Sequence, residues 1–224
     1  MAHNQVTLNN LRQHQKFWDH IAFSIGEMLP FSVEVFYEFV PNKKADILDF
    51  GCGYGRTLKE IYQNGYTNLV GADISSRMIE RGQKELPFLQ LICADTPAKF
   101  LKQNFFDAII FLGVFTCIAE DRQQLDLIAN SLKWLKKGGI IYIGDFLLNT
   151  DERNIERYNK LQARYNGYAY GVFELQERLL FRHHSIAWLG QLLAPFTTLS
   201  YGETKYKTLN NHIGNGFVYV GGKA

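Results

Sequence analysis

The sequence predicts an α/β fold with a doubly wound, mainly parallel seven-stranded sheet. From Ala45 onward, short apolar runs alternate with segments of helical periodicity, a pattern that requires crossover connections between parallel strands. A glycine-rich turn follows the first of these runs directly. After Phe146 the alternation stops, and the chain closes with the pattern of an antiparallel hairpin. We therefore expect N-terminal helices, a central sheet, a cap insertion before the last helix, and a C-terminal hairpin.

Length and composition favour one domain. The 224 residues carry 24 Lys and Arg against 22 Asp and Glu, a formal charge of 24 − 22 = +2, and 46% are hydrophobic. This composition excludes a disordered, collagen-like or coiled-coil chain. At about 150 residues per domain, the length favours a single domain with an insertion. We expect one domain over 1–224, divided into an N-terminal helical lid (1–40), a core (45–146), a cap insertion (147–184), and a last helix with the hairpin (185–224).

Several partner classes are disfavoured by local composition. The longest apolar stretch, 108–119, is interrupted by polar and glycine residues and is shorter than the ~20 residues of a membrane span. The first seventeen residues lack the apolar segment of a secretory signal. Cys52, Cys93 and Cys117 are an odd number without metal-site spacing, which suits a reducing compartment. Without Lys/Arg blocks, a nucleic-acid partner is not expected. These patterns predict a cytoplasmic protein with no membrane partner and no metal, and leave its oligomeric state open.

Each predicted element follows from its periodicity. The strand candidates are 45–50, 68–73, 88–93, 105–112 and 139–146, and the hairpin strands are about 196–207 and 214–221. The helix candidates are 55–64, 75–85, 96–103, 121–136 and 185–194. Two helices are expected within 10–40, with one apolar face made of Phe17, Ile21, Ile25 and Met28. Lys136 to Gly139 are expected to end the helix at 121–136, because cations and glycine favour a helix C-terminus.

The sharpest local pattern is the turn within 47–56, which reads Ile-Leu-Asp-Phe-Gly-Cys-Gly-Tyr-Gly-Arg. Glycines let the backbone approach a ligand closely, and the helix that follows offers unpaired N–H groups. A dinucleotide fingerprint would need its third glycine where Arg56 stands, and a Walker loop is absent. The spacing therefore indicates a nucleotide-like ligand of another kind.

The run Asp49-x-Gly51-x-Gly53-x-Gly55 resembles the first motif of class I S-adenosylmethionine-dependent methyltransferases. The resemblance extends from about Ala45 to the C-terminus and implies S-adenosyl-L-methionine as the cofactor. It also implies that an acid ending the second strand holds the ribose hydroxyls, that an acid after the third strand reaches the adenine, and that the fourth strand ends at the methionine moiety. The implied cofactor residues are Asp49, Gly51, Gly53, Gly55, Asp73, Ile74, Asp95 and Leu112.

The acceptor is less strongly encoded. Leu112-Gly113-Val114-Phe115 stands where amino-methylating nucleic-acid and glutamine enzymes of this class carry Asn/Asp-Pro-Pro-aromatic, and no cysteine follows a proline. These departures disfavour such substrates, and the tyrosine-rich segment after Phe146 favours a small, partly apolar acceptor. Two alternatives stay open: a protein methyltransferase, and a catalytically silent S-adenosylmethionine-binding regulatory protein.

Candidate acceptor and catalytic residues lie in the cap and the N-terminal segment. Aromatic side chains that either contact the substrate or pack the cap are Trp18, Tyr158, Tyr170 and Phe173. Methyl transfer needs a general base only if the acceptor loses a proton. The candidates for that role are His183, His184 and Glu174. If 179–184 is extended, the two histidines point to opposite faces and only one can enter the pocket. A purely structural role for both stays open.

Overall fold

A mixed sheet of seven strands organises the chain in a computed structural model, which describes residues 2–26, 29–93, 101–165, 167–176, 179–208 and 211–224. Its strands are β1 (Ile47–Phe50), β2 (Leu69–Asp73), β3 (Gln90–Cys93), β4 (Phe106–Leu112), β5 (Leu135–Phe146), β8 (Thr197–Lys207) and β9 (Ile213–Gly222). The order across the sheet is β3-β2-β1-β4-β5-β9-β8. The first five are parallel, and β9 and β8 are antiparallel additions. The predicted fold class is confirmed.

Helices cover both faces of this sheet. They are α1 (Ala2–Ile21), α2 (Val33–Phe39), α3 (Arg56–Gln63), α4 (Ser76–Glu85), α5 (Asp121–Trp134), α6 (Glu152–Arg164) and α7 (Ile186–Leu192). Because successive strand side chains point to opposite faces, Leu48 packs in the core with α5 and α7, while Ile47 packs with α2, α3 and α4. The alternation of apolar runs and helices therefore produces two cores, one on each side of the sheet.

The junction between α5 and β5 differs from the prediction. The helix ends at Trp134 instead of 136, and the strand begins at Leu135 instead of 139. Leu135 is fully buried and pairs with Phe106 across a register shift, so the chain is already extended before the glycines. Gly138 has a φ of 73° but lies inside the strand, so the expected glycine cap of the helix is wrong.

Two other helix predictions need correction. Residues 101–103 of the predicted helix at 96–103 are not helical, and the remainder lies outside the described residues. The single apolar face over the N-terminal segment is also wrong, because α1 ends at Ile21 and a turn follows it, in which the backbone N–H of Ile25 donates to the Ile21 carbonyl. Met28 lies outside the described residues.

Between β5 and α7 the chain forms α6 and a separate hairpin of β6 (Val172–Gln176) and β7 (Leu179–Arg182). The core of this cap contains Tyr158, Phe173, Leu179 and Phe181. Helix α1 packs against it, with His14 Nε2 2.8 Å from the Leu180 carbonyl oxygen. In the described ranges, no helix is long and apolar enough to cross a membrane.

Candidate functional site

The glycine loop follows β1 in a conformation that requires glycine. Gly51, Gly53 and Gly55 have φ values of 78°, 55° and 92°, in the left-handed region that side chains disfavour. The Gly51 N–H donates to the Ala72 carbonyl at 2.7 Å, and the Gly53 N–H donates to Asp73 Oδ2 at 2.8 Å. The loop is therefore fixed to the carboxyl end of β2.

Of the three glycines, Gly53 faces the most open space. A Cβ at Gly53 would meet nothing closer than the Met78 sulfur at 4.0 Å, whereas at Gly51 it would lie 2.6 Å from Val114 Cγ2. At Gly55 the nearest atom would be Leu89 Cδ1 at 3.1 Å. The chain packs closely around the two outer glycines and leaves room for a ligand beside the middle one.

Asp49 is a buried carboxylate in need of a partner. Its Oδ2 atom has no hydrogen-bond partner among the described residues. Burial raises its pKa to about 7, Arg56 opposes this rise, and Asp73 adds to it. Because a buried polar atom without a partner is costly, a cationic ligand group at Oδ2 would be favourable. An α-ammonium group has the chemistry that this position lacks.

Asp73, the last residue of β2, is held at both oxygens. Oδ1 accepts the Ser75 N–H and Oδ2 accepts the Gly53 N–H, each at 2.8 Å. Burial nevertheless raises its pKa, which those backbone donors partly oppose. A carboxylate accepts about four hydrogen bonds, so each oxygen retains capacity for a ligand hydroxyl.

The remaining predicted cofactor residues surround this edge of the sheet. Ile74 follows Asp73, is half-buried, and accepts a hydrogen bond at its carbonyl from Gln15 Nε2 at 3.1 Å. Leu112 is half-buried at the end of β4. Asp95 lies outside the described residues.

Helix α1 contributes a residue that sequence reasoning missed. Asp19 Oδ1 accepts hydrogen bonds from Ser75 Oγ at 2.7 Å and from the Arg77 N–H at 3.1 Å. It therefore ties the N-terminal helix to the beginning of α4, two residues from Asp73. The local sequence gives no signal for this contact, because it joins two segments that are 56 residues apart.

A cavity of about 670 Å³ lies between the N-terminal segment, which lines it with Trp18, and the cap, which lines it with Phe173. Gly113, directly after β4, and Phe146, at the end of β5, both line it, so it lies at the same carboxyl edge of the sheet. Leu29 also lines the cavity, and its carbonyl accepts a hydrogen bond from Arg56, the first residue of α3. Open α/β sheets bind ligands at this edge.

The predicted acceptor residues divide into two groups. Trp18 and Phe173 line the cavity. Neither Tyr158 nor Tyr170 is among the residues that line the cavity in the described part of the chain. Tyr158 is fully buried in the cap, and Tyr170 is 46% exposed with its ring against Tyr158. The two tyrosines therefore pack the cap and do not line the cavity.

The three candidate bases also separate. Strand alternation places Glu174 on the opposite face of β6 from Phe173, and Arg164 Nη1 lies 3.0 Å from its Oε2. His184 is fully buried between the Phe146 carbonyl, 3.0 Å from Nδ1, and Gln124 Nε2, 2.9 Å from its Nε2. His183 alone of the three lines the cavity. Burial lowers the pKa of both histidines to about 3, with Arg157 adding to the effect at His183 and Arg182 at His184.

The hydrogen bonds around His183 define its tautomer. Asn149 Oδ1 accepts the Asn215 N–H at 2.8 Å, so its Nδ2 donates to the Leu147 carbonyl at 3.0 Å and faces His183 Nδ1 at 3.2 Å. The Tyr158 hydroxyl accepts the Asn149 N–H at 3.3 Å and lies 2.6 Å from the same Nδ1. These groups are all satisfied when Nδ1 is an acceptor and the ring proton is on Nε2.

The core of the chain is similar to known methyltransferases in sequence and in fold. Residues 47–139 match a family model described as a methyltransferase domain. A SAM-dependent methyltransferase from Methanosarcina mazei superposes with a TM-score of 0.78 at 19% identity, covering 84% of this chain and 96% of that one. The segment 47–139, which matches the family model, contains the glycine loop and Asp73.

Two curated proteins are similar to this chain over only part of their length. The chain is 27% identical over 157 residues to a phosphoethanolamine N-methyltransferase of Triticum aestivum. This match covers 60% of this chain and 30% of that protein. It is 26% identical over 134 residues to an uncharacterized protein of Haemophilus influenzae, which is 54% of this chain and 50% of that protein. The chain thus spans half or less of the length of these relatives.

Proposed function

We propose that this chain, whose residues 47–139 belong to the methyltransferase-domain family, is an S-adenosylmethionine-dependent methyltransferase acting on a small molecule. The observation that carries the proposal is the placement of Asp49, Gly53 and Asp73 at the same carboxyl edge of the sheet as a cavity lined by Gly113. A loop open to a ligand therefore shares this edge with a partly open cavity that can accommodate an acceptor.

Each residue around the loop has a role that its chemistry permits. Asp73 would accept hydrogen bonds from the two ribose hydroxyls with its remaining lone pairs, and Asp49 Oδ2 would accept one from the methionine ammonium. Ile74 and Leu112 would supply apolar contacts, and Asp95 stays a proposed adenine contact. When bound, S-adenosylmethionine supplies the electrophilic methyl group.

The rest of the chain aligns the acceptor and excludes water. In-line displacement depends mainly on holding the two reacting atoms in register in a dry site. Trp18 of α1 and Phe173 and Phe181 of the cap line the cavity with apolar surface. Its volume of about 670 Å³ suits a small-molecule ligand, for which pockets of ~300–1,000 Å³ are usual.

The acceptor class can be tested by supplying S-adenosylmethionine with a labelled methyl group together with a fractionated cell extract. We expect the label in the small-molecule fraction. Label found only in proteins would overturn the proposed acceptor class. If no fraction is labelled although the cofactor binds, the chain is a silent cofactor-binding protein.

His183 is proposed to orient the acceptor through a hydrogen bond. Once the labelled product identifies the acceptor, we expect His183→Gln, which keeps a donor, to retain most turnover, and His183→Phe to lose about tenfold. The wild-type pH profile should show no ionisation of this histidine near 6.5, since its pKa is about 3. Equal losses in both variants, together with a near-neutral inflection of wild-type turnover that persists at saturating cofactor and is absent in both variants, would instead identify His183 as a base.

Cofactor affinity should depend on pH through Asp49. Its pKa is raised to about 7 without ligand, so an ammonium group binds fully only after that proton leaves. We expect the dissociation constant of S-adenosylhomocysteine to be about tenfold weaker at pH 6 than at pH 8. Asp49→Asn should weaken binding at pH 8 and reduce the pH dependence of the dissociation constant. Any pH dependence that the variant retains is assigned to Asp73, because its pKa is also raised. Calorimetric titrations that give equal or tighter binding at pH 6 would contradict this role.

A further inference from the structure

The cavity has an unbalanced charge. Arg153, Arg157 and Lys207 all line it, and no Asp or Glu is among the lining residues in the described ranges. The whole chain carries a formal charge of only +2, so this cationic set is a local feature. Three cationic side chains around one partly open cavity make it attractive to an anion.

Arg157 is the best-positioned member of the set. Its guanidinium carbon lies 3.9 Å from the centroid of the Phe173 ring, and one terminal nitrogen donates to Asn154 Oδ1. The Nε atom is buried and has no hydrogen-bond partner among the described residues. Because buried donors are normally satisfied, this orphaned N–H indicates a missing acceptor atom.

The neighbouring cations are only weakly neutralised. Arg153 is one helical turn before Arg157 on α6, and its Nε lies 3.8 Å from Asp151 Oδ1, beyond hydrogen-bond distance. Lys207, at the end of β8, has no ion pair within the described part of the chain. His183 adds a neutral donor at Nε2 to the same lining.

Resting on the proposed function, we infer that the acceptor carries an anionic group, a carboxylate or a phosphate, bound by Arg157 together with Arg153 and Lys207. The apolar part of the acceptor lies against Phe173 and Phe181. Guanidinium groups bind both kinds of oxyanion through paired N–H donors, so the two sources share one recognition chemistry.

Small aromatic probes test this inference directly. The protein, saturated with S-adenosylhomocysteine, is titrated with phenyl phosphate, benzoate and benzyl alcohol, and dissociation constants are read from NMR shifts. We expect benzyl alcohol to bind at least about tenfold more weakly than the tighter anion. Tighter binding of phenyl phosphate would assign a phosphate, and tighter binding of benzoate a carboxylate. Equal binding of benzyl alcohol and both anions, or no binding of either anion, would overturn the inference.

Variants locate the binding site of the anion. Arg157→Gln should weaken the tighter anion at least about tenfold, and Lys207→Gln should weaken it without disturbing the packing on Phe173. Arg164→Gln is the matched control, since Arg164 is on the same helix, 52% exposed and outside the lining. Equal losses in Arg157→Gln and Arg164→Gln would overturn the assignment.

The titration with S-adenosylhomocysteine distinguishes a failure of the anionic-acceptor inference from a failure of the proposed function. Normal S-adenosylhomocysteine binding without anion binding would refute the anionic acceptor and leave the proposed function intact. Failure of S-adenosylhomocysteine itself to bind would refute the proposed function.

Discussion

Gly53→Val is expected to abolish cofactor binding while the chain stays folded. Gly53 has a φ of 55° and its Cβ position faces space with only the Met78 sulfur at 4.0 Å. A branched side chain would fill the volume that the cofactor needs, so no repacking of the protein could restore binding. Calorimetric titration with S-adenosylhomocysteine measures the loss, and thermal unfolding followed by circular dichroism reports whether the fold persists.

Gly65→Val provides a control for backbone strain. Gly65 lies after α3 with a φ of 91°, and its Cβ position has no neighbour within 4 Å. A side chain there suffers the same left-handed strain, about 1–2 kcal/mol, far from the loop. We expect Gly65→Val to lower the unfolding temperature and to bind normally. If Gly53→Val binds as well as Gly65→Val does, the ligand does not occupy the glycine loop.

The second large effect concerns Asp73. Asp73→Ala is expected to weaken S-adenosylhomocysteine binding about 100-fold, or about 3 kcal/mol, because charge-assisted hydrogen bonds to two hydroxyls are lost together. Competition calorimetry can measure an affinity change of this size. An unchanged dissociation constant in a folded variant would exclude Asp73 from the site.

The Asp73 experiment needs two controls, because this carboxylate also accepts the N–H groups of Gly53 and Ser75. Asp73→Asn keeps one acceptor oxygen and should bind more tightly than the alanine variant. Asp46→Ala removes an acid just before β1, at the opposite edge of the sheet, where it pairs with Lys136 at 2.9 Å. We expect Asp46→Ala to leave cofactor affinity unchanged, so a comparable loss there would indicate a general charge effect.

The parts of the molecule that could be predicted are those encoded locally. The glycine loop, the acid at the end of β2 and the positions of the central strands along the chain follow from spacing within short segments, because strand ends and turns depend on adjacent residues. The opposite orientation of His183 and His184 follows from strand alternation alone. Which of the two faces the cavity depends on how the cap packs.

The parts that could not be predicted depend on contacts between distant segments. Asp19 reaches Ser75 only because α1 packs across α4, and Tyr158 is buried only because β6 and β7 fold over α6. The α6 helix itself had a signal, since Asp151 caps it by accepting the Asn154 N–H at 3.2 Å. The cationic lining had none, because Lys207 joins the two α6 arginines only through the tertiary fold.

A crystal structure of the chain with S-adenosylhomocysteine tests the central claim most directly. We expect the ribose hydroxyls within about 2.5–3.2 Å of the Asp73 oxygens and the ammonium within the same range of Asp49 Oδ2. The sulfur should point toward the cavity at Gly113. A ligand bound elsewhere, or one whose ribose does not contact Asp73, would contradict the account.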